Sequence, residues 1–194
     1  MDLSPADVRD LAAEYEAQEP LAAVEEDHVK ILPRTFASGE YGWRDAKWVV
    51  RWYYRRFLGD VPNAERRAGE TAFEENDFDD VRAVIQDVTE TGDVEFRLER
   101  LQTLQGVDLP VATAFLQFAD PERYLVVGER EWGVLATLGD LPTAYPSPPT
   151  VEDYRAYLGV ARDLAERWDC DAWTVYKVVW RLAKRSDENG LATP

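Results

Sequence analysis

LQTLQGVDLPVATAFLQFADPERYLVVGEREWGVLATLG, residues 101–139, is the stretch whose reading decides the fold. It predicts a helix, a tight turn, a second helix, a short connection and a third helix. The first helix carries Val94, Leu98, Leu101 and Leu104 at spacings of three and four, which places them on one face. Gly106 sits where a glycine just past a helix end belongs, and Pro110 suits the first turn of the helix that follows. That second helix gathers Val111, Ala114, Phe115 and Phe118 on one side, and its small residues Ala112 and Ala114 permit close helix–helix approach.

The turn runs Leu104-Gln105-Gly106-Val107-Asp108-Leu109, in the pattern Leu-x-Gly-Val-x-hydrophobic. In this it resembles the helix-hairpin-helix of the DNA glycosylase superfamily. Residues 123–139, RYLVVGEREWGVLATLG, look like the segment after the hairpin there, a hydrophobic run leading into a helix. Upstream, WRDAKWVVRWYYRR (residues 43–56) and Asn63 look like the front half of a little-characterised glycosylase-like branch. Downstream, residues 154–185 are similar to its closing helices. The resemblance covers roughly residues 40 to 185, and the hairpin is its most specific part.

The resemblance implies catalytic positions, and this chain does not keep them. The superfamily's aspartate at the end of the hydrophobic run is matched by Gly128, and the lysine of its bifunctional members by Pro110. Neither side chain can transfer a proton or form a Schiff base. Glu129 is the one candidate replacement acid, but one residue along a helix start rotates a side chain by about 100°. Fold resemblance alone therefore carries no activity.

The 194 residues suit one domain or one two-lobed helical domain, and 45% hydrophobic residues suffice for a core. The apolar runs fall short of a membrane span and no basic-then-apolar leader opens the chain, so a cytoplasmic protein with no membrane partner is expected. Cys170 is alone, so no disulfide, thiolate metal site, iron–sulfur cluster or other cofactor is expected. Asp and Glu number 38 against 22 Lys and Arg, a net charge of −16. A carboxylate-rich surface of this kind suggests adaptation to a high-salt cytoplasm and opposes simple nucleic-acid binding, which wants a basic face.

The N-terminal segment predicts two helices. Ser4, Pro5 and Asp7 form a helix start, followed by the apolar stripe Leu3, Val8, Leu11, Ala12 and Tyr15. A second helix is expected over residues 21–32, stopping before Pro33. His28 lies in it beside Glu25, Glu26 and Asp27; with no other histidine in the chain, it reads as part of a solvated charged face and not as a metal ligand.

Residues 41–56 hold Arg44, Lys47, Arg51, Arg55 and Arg56 against Asp45 alone. On a helix Lys47, Arg51 and Arg55 align at spacings of four beside Trp48 and Trp52. Basic residues interleaved with aromatics could hold phosphates and stack bases. Equally, the tryptophans could face a core while the basic residues pair with the acidic region that follows. From Glu70 to Glu95 there are ten carboxylates against Arg82, and Asn76 or Asp77 can cap a helix carrying Phe78, Val81, Val84, Ile85 and Val88.

A helix-hairpin-helix binds duplex backbone because amide N–H groups at the start of its second helix point at a phosphate. Gly106, Val107, Asp108 and Leu109 would supply that contact here, with Lys47, Arg51 and Arg55 as further nucleic-acid-binding candidates. The Asp108 carboxylate would repel the phosphate, and Pro110 lacks an N–H. Beyond the proline-rich stretch 140–150, Thr150 and Asp153 mark a helix with Val151, Tyr154, Leu158, Ala161, Leu164 and Trp168 inward. A last helix, residues 171–185, turns Trp173, Tyr176, Trp180 and Ala183 inward and gives its outer end Lys177, Arg181, Lys184 and Arg185, as phosphate contacts or as charges suited to a helix C-terminus.

The sequence thus predicts an all-α, DNA-glycosylase-like helical fold with a central helix-hairpin-helix at residues 94–119. Residues 1–39 are expected to add helices that pack on a domain spanning 40–186, and 187–194 to form a disordered tail. Two function classes stay open, with the balance against an enzyme. One is a non-catalytic DNA-repair-related protein with duplex DNA as partner through the hairpin. The other is a structural or protein-interaction module that reuses the scaffold.

Overall fold

The computed structural model describes residues 3–59 and 61–188, and among them the chain is helical throughout, with no strand. The helices are α1 Pro5–Gln18, α2 Ala22–Ser38, α3 Trp43–Arg55, α4 Asn63–Glu74, α5 Phe78–Glu90, α6 Val94–Leu101, α7 Leu109–Ala119, α8 Glu129–Leu138, α9 Val151–Trp168 and α10 Ala172–Glu188. The chain is therefore all-α. Its contacts group into two compact units, Asp27–Asp120 and Met1–Glu26 with Pro121–Pro194, whereas the sequence places boundaries after residues 39 and 186. α10 continues to Glu188, so the tail expected from residue 187 starts inside a helix; residues 189–194 lie outside the described residues.

The unit Asp27–Asp120 is built around α7. Leu109 and every residue from Val111 to Phe118 are buried, the pattern of a helix enclosed on all sides. α3 packs on α4 and α7, and α6 packs on α5 and α7. Asp77 and Asp93 cap α5 and α6, each accepting from an amide two residues on. α2 does not stop before Pro33 as expected; it runs through to Ser38 with the proline inside. A proline forfeits one amide hydrogen bond, but Leu32 and Phe36 flank it at 1% exposure, and their burial outweighs that loss.

In the other unit, α10 packs on α1, α8 and α9. Ser4 and Asp7 form a reciprocal cap on α1, and Thr150 and Asp153 repeat it on α9. Residues 124–128 are neither helix nor strand, and Tyr124 to Val127 are fully buried. Two carbonyls of this segment are satisfied by hydroxyls from α9 in place of a neighbouring strand: Tyr154 donates to Leu125 O at 3.0 Å and Tyr157 to Val126 O at 2.8 Å.

Lys177 and Arg181 are not on an outer face. They are 7% and 3% exposed and meet carboxylates from α1, the segment after it and the start of α2. Lys177 Nζ donates to Glu16 at 2.6 Å and Glu26 at 2.9 Å. Arg181 donates to Glu19 at 2.8 Å, Gln18 at 3.0 Å and Glu14, whose other oxygen accepts from Arg185. Glu26 also accepts from Trp173 Nε1, and the buried Glu25 from the Tyr15 hydroxyl.

Cys170 follows the left-handed residue Asp169 at the end of α9. Partial burial, with Asp171 and Asp169 beside it, pushes its thiol up to about 11. At pH 8 the thiolate fraction should be about 100-fold below that of a free cysteine. Because a thiolate of higher pKa is the stronger nucleophile, reaction with a disulfide reagent should be slowed less, by about tenfold, in the native protein, with the ordinary rate restored in urea. A native rate equal to the unfolded one would contradict this placement.

Candidate nucleic-acid interface

α6 ends at Leu101, short of the expected Leu104, and residues 102–108 join it to α7. Gly106 takes a left-handed conformation, φ +74°, and Asp108 caps α7 by accepting from Val111 N at 3.0 Å. Val107 N is bonded to Leu104 O at 3.3 Å, and Ala112 N to Asp108 O at 2.8 Å. Asn76, considered above as a helix cap, instead clasps the turn: its Nδ2 donates to Gln105 O at 3.0 Å and its Oδ1 accepts from Gln105 N at 2.9 Å. Nothing local in the sequence signals this contact, which spans 29 residues.

Gly106 lies against the backbone of α4. A Cβ at this position would come within 2.7 Å of Phe73 N and 2.8 Å of Gly69 O. Its other side, with Leu104, Val107, Asp108 and Tyr54, borders an open cleft of about 290 Å³. The Asp108 carboxylate therefore takes one of the first-turn amides that a phosphate would use. Burial raises its pKa, against the lowering effect of the amide hydrogen bonds it accepts.

The basic residues of α3 do align, but against α4. Lys47 Nζ is 3.4 Å and Arg51 Nη2 2.9 Å from the same Glu74 oxygen. Arg55 grips Glu70 with both ends of its fork, at 2.9 and 2.8 Å, and Arg66 reaches the same carboxylate at 3.2 and 3.3 Å. Burial works to raise the Glu70 pKa, but the two guanidiniums outweigh it and hold the carboxyl below its ordinary value. The tryptophans are packed. Trp52 is 3% exposed and, like the half-buried Trp48, meets the edge or face of Phe118 in α7, with centroids 4.7 and 4.8 Å apart. His28, expected on a solvated face, stacks on Trp48 at 3.6 Å with the rings 6° from parallel.

Gly106, Val107, Asp108, Leu109, Lys47, Arg51 and Arg55 thus all fall in the unit Asp27–Asp120, whereas Glu129 belongs to the other. Glu129 is exposed at the start of α8, and Gly128 is the cap of that helix, without a side chain to act. Glu131, which sequence reasoning passed over, is fully buried on the same first turn. Among the described residues no group of three or more His, Cys, Asp or Glu is placed to hold a metal ion, and no helix is long and apolar enough to cross a membrane. Outside the predicted set, Tyr54 and Leu104 also border the cleft at Gly106, and Arg66 joins Arg55 on Glu70. Compared with known proteins, the chain matches no family model, no curated protein and no solved structure.

Proposed function

We propose that this chain is a non-catalytic helical scaffold of the DNA-glycosylase type, used as a structural or protein-interaction module in a high-salt cytoplasm. The observation that supports this reading is the pairing of Lys47, Arg51 and Arg55 with Glu70 and Glu74, which engages every cation of this basic row with a carboxylate. On Lys47 and Arg51 a phosphate would compete with the Glu74 carboxylate, and counterion release, the main source of non-specific affinity, is weakened where cations are already paired. Gly128 and Pro110 supply no catalytic group, and Glu129 stands exposed.

The test is fluorescence anisotropy with labelled duplex, mismatched and single-stranded DNA from 50 mM to 1 M KCl. No salt-dependent binding is expected, and Arg51→Glu should behave as the wild type. Binding that weakens steeply with salt and is lost in Arg51→Glu would overturn the proposal.

One observation favours the DNA-binding reading instead: the hairpin residues Leu104, Gly106, Val107 and Asp108 border an open cleft. Asp108→Asn separates the two readings, since asparagine caps a helix as well as aspartate and removes the repelling charge. Duplex binding gained by that variant would favour a hairpin that still meets phosphate; continued absence favours the scaffold.

A further inference from the structure

We propose that the cleft between the end of α3 and the start of α4 binds a small organic phosphate. Its volume is about 470 Å³, within the range of small-molecule sites, and it lies wholly in the unit Asp27–Asp120. Arg55 and Arg66 enter it from two different helices and share the carboxylate of Glu70, so two guanidiniums meet one carboxylate at this end of the cleft. The Arg55 side chain is 51% exposed, and the contacts Arg66 makes to Glu70 are long for a charged pair, which leaves both forks able to take a further anion. Asn63 accepts from Arg66 through Oδ1 at 3.3 Å, and its amide nitrogen remains a donor.

The rest of the lining is apolar: the Tyr54 ring, Leu58 and Val61. Leu58 has φ +53° and is 52% exposed, so a large apolar side chain is held out to solvent on a backbone conformation that favours glycine. Core packing does not account for that placement, whereas a ligand body lying against the leucine would. A phosphoryl group on the two guanidiniums, with a flat or apolar body between Tyr54 and Leu58, uses both halves of the lining. Free phosphate would use only the first. Arginine, with its planar fork, suits either a phosphoryl or a carboxylate oxygen pair, and two guanidiniums sharing one carboxylate favour the group of higher negative charge.

Titration calorimetry and amide NMR with AMP, inorganic phosphate and adenosine test the site in the full chain. AMP should bind with amide shifts centred on Tyr54, Gly59 and Asn63; phosphate should bind more weakly at the same residues, and adenosine about tenfold or more below AMP. Arg66→Gln should weaken AMP and phosphate by about tenfold or more. Leu58→Gly, which relaxes the left-handed backbone and therefore folds, should weaken AMP several-fold and leave phosphate unchanged. No shifts at these residues, shifts elsewhere on the chain, or AMP affinity unaltered in Leu58→Gly would each overturn the proposal. Should Arg66→Gln fail to fold, the Leu58→Gly comparison decides.

Discussion

Arg181→Met should cost about 3–5 kcal/mol at pH 7, measured by urea unfolding followed by tryptophan fluorescence. The guanidinium side chain is 4% exposed, and its partners Glu14 and Glu19 are 18% and 8% exposed. Methionine fills the volume but leaves two carboxylates with less compensation away from water, and it is this loss, more than the missing attraction, that sets the size of the effect. Arg185→Met removes a cation bonded to the same Glu14, yet Arg185 is 49% exposed, so its loss should cost about 1 kcal/mol or less. Equal losses in the two variants would show that burial is not what makes the network matter.

The same network sets a direction with pH. The hydrogen bond from Arg181 is the largest cause holding the Glu14 carboxyl below its ordinary value. A lowered folded-state pKa gives stability that is present above the unfolded glutamate value and disappears as pH falls through the folded one. The gap between wild type and Arg181→Met should therefore be widest near neutral pH and narrow through the acidic range. A gap independent of pH between 7 and 3 would assign the loss to packing alone.

What was legible in the sequence is what neighbours a few residues apart decide. The reciprocal caps of Ser4 with Asp7 and Thr150 with Asp153, the proline at the start of α7 and the left-handed glycine of the hairpin all follow from such local chemistry. The alignment of Lys47, Arg51 and Arg55 was legible too, as was the acidic stretch able to meet it, though not which carboxylate takes which cation. Lys177 and Arg181 were placed outside because their partners lie more than 150 residues earlier in the chain, where helical periodicity carries no signal. α4 has no counterpart in the sequence reading: Gly69, a poor helix former, lies within it, and Phe73 is its one buried side chain. Without α4 the cleft beside Tyr54 could not be anticipated. In the short apolar run at residues 124–127, two backbone carbonyls are satisfied by hydroxyls from α9 about 30 residues later, which the run itself does not signal.

Gly106→Ala should be far more damaging than Gly39→Ala, although the two glycines share the same backbone region, φ +74° and +69°. Forcing a side chain into that region costs about 1–2 kcal/mol wherever it occurs. At Gly39 an added Cβ meets nothing within 4 Å, so the conformational cost should be the whole effect. At Gly106 the Cβ would press on Phe73 N and Gly69 O, backbone atoms of α4 that cannot rotate away. Separating the hairpin from α4 should add about 2–3 kcal/mol to the loss. Thermal unfolding of both variants without any nucleic acid measures the difference directly. A hairpin glycine is ordinarily explained by the close approach of a phosphate, and on that account alone the two variants would be equally stable in the absence of DNA. A clear excess loss at Gly106 would mean that the bend is held by packing against α4, so its presence here does not by itself imply a nucleic-acid ligand.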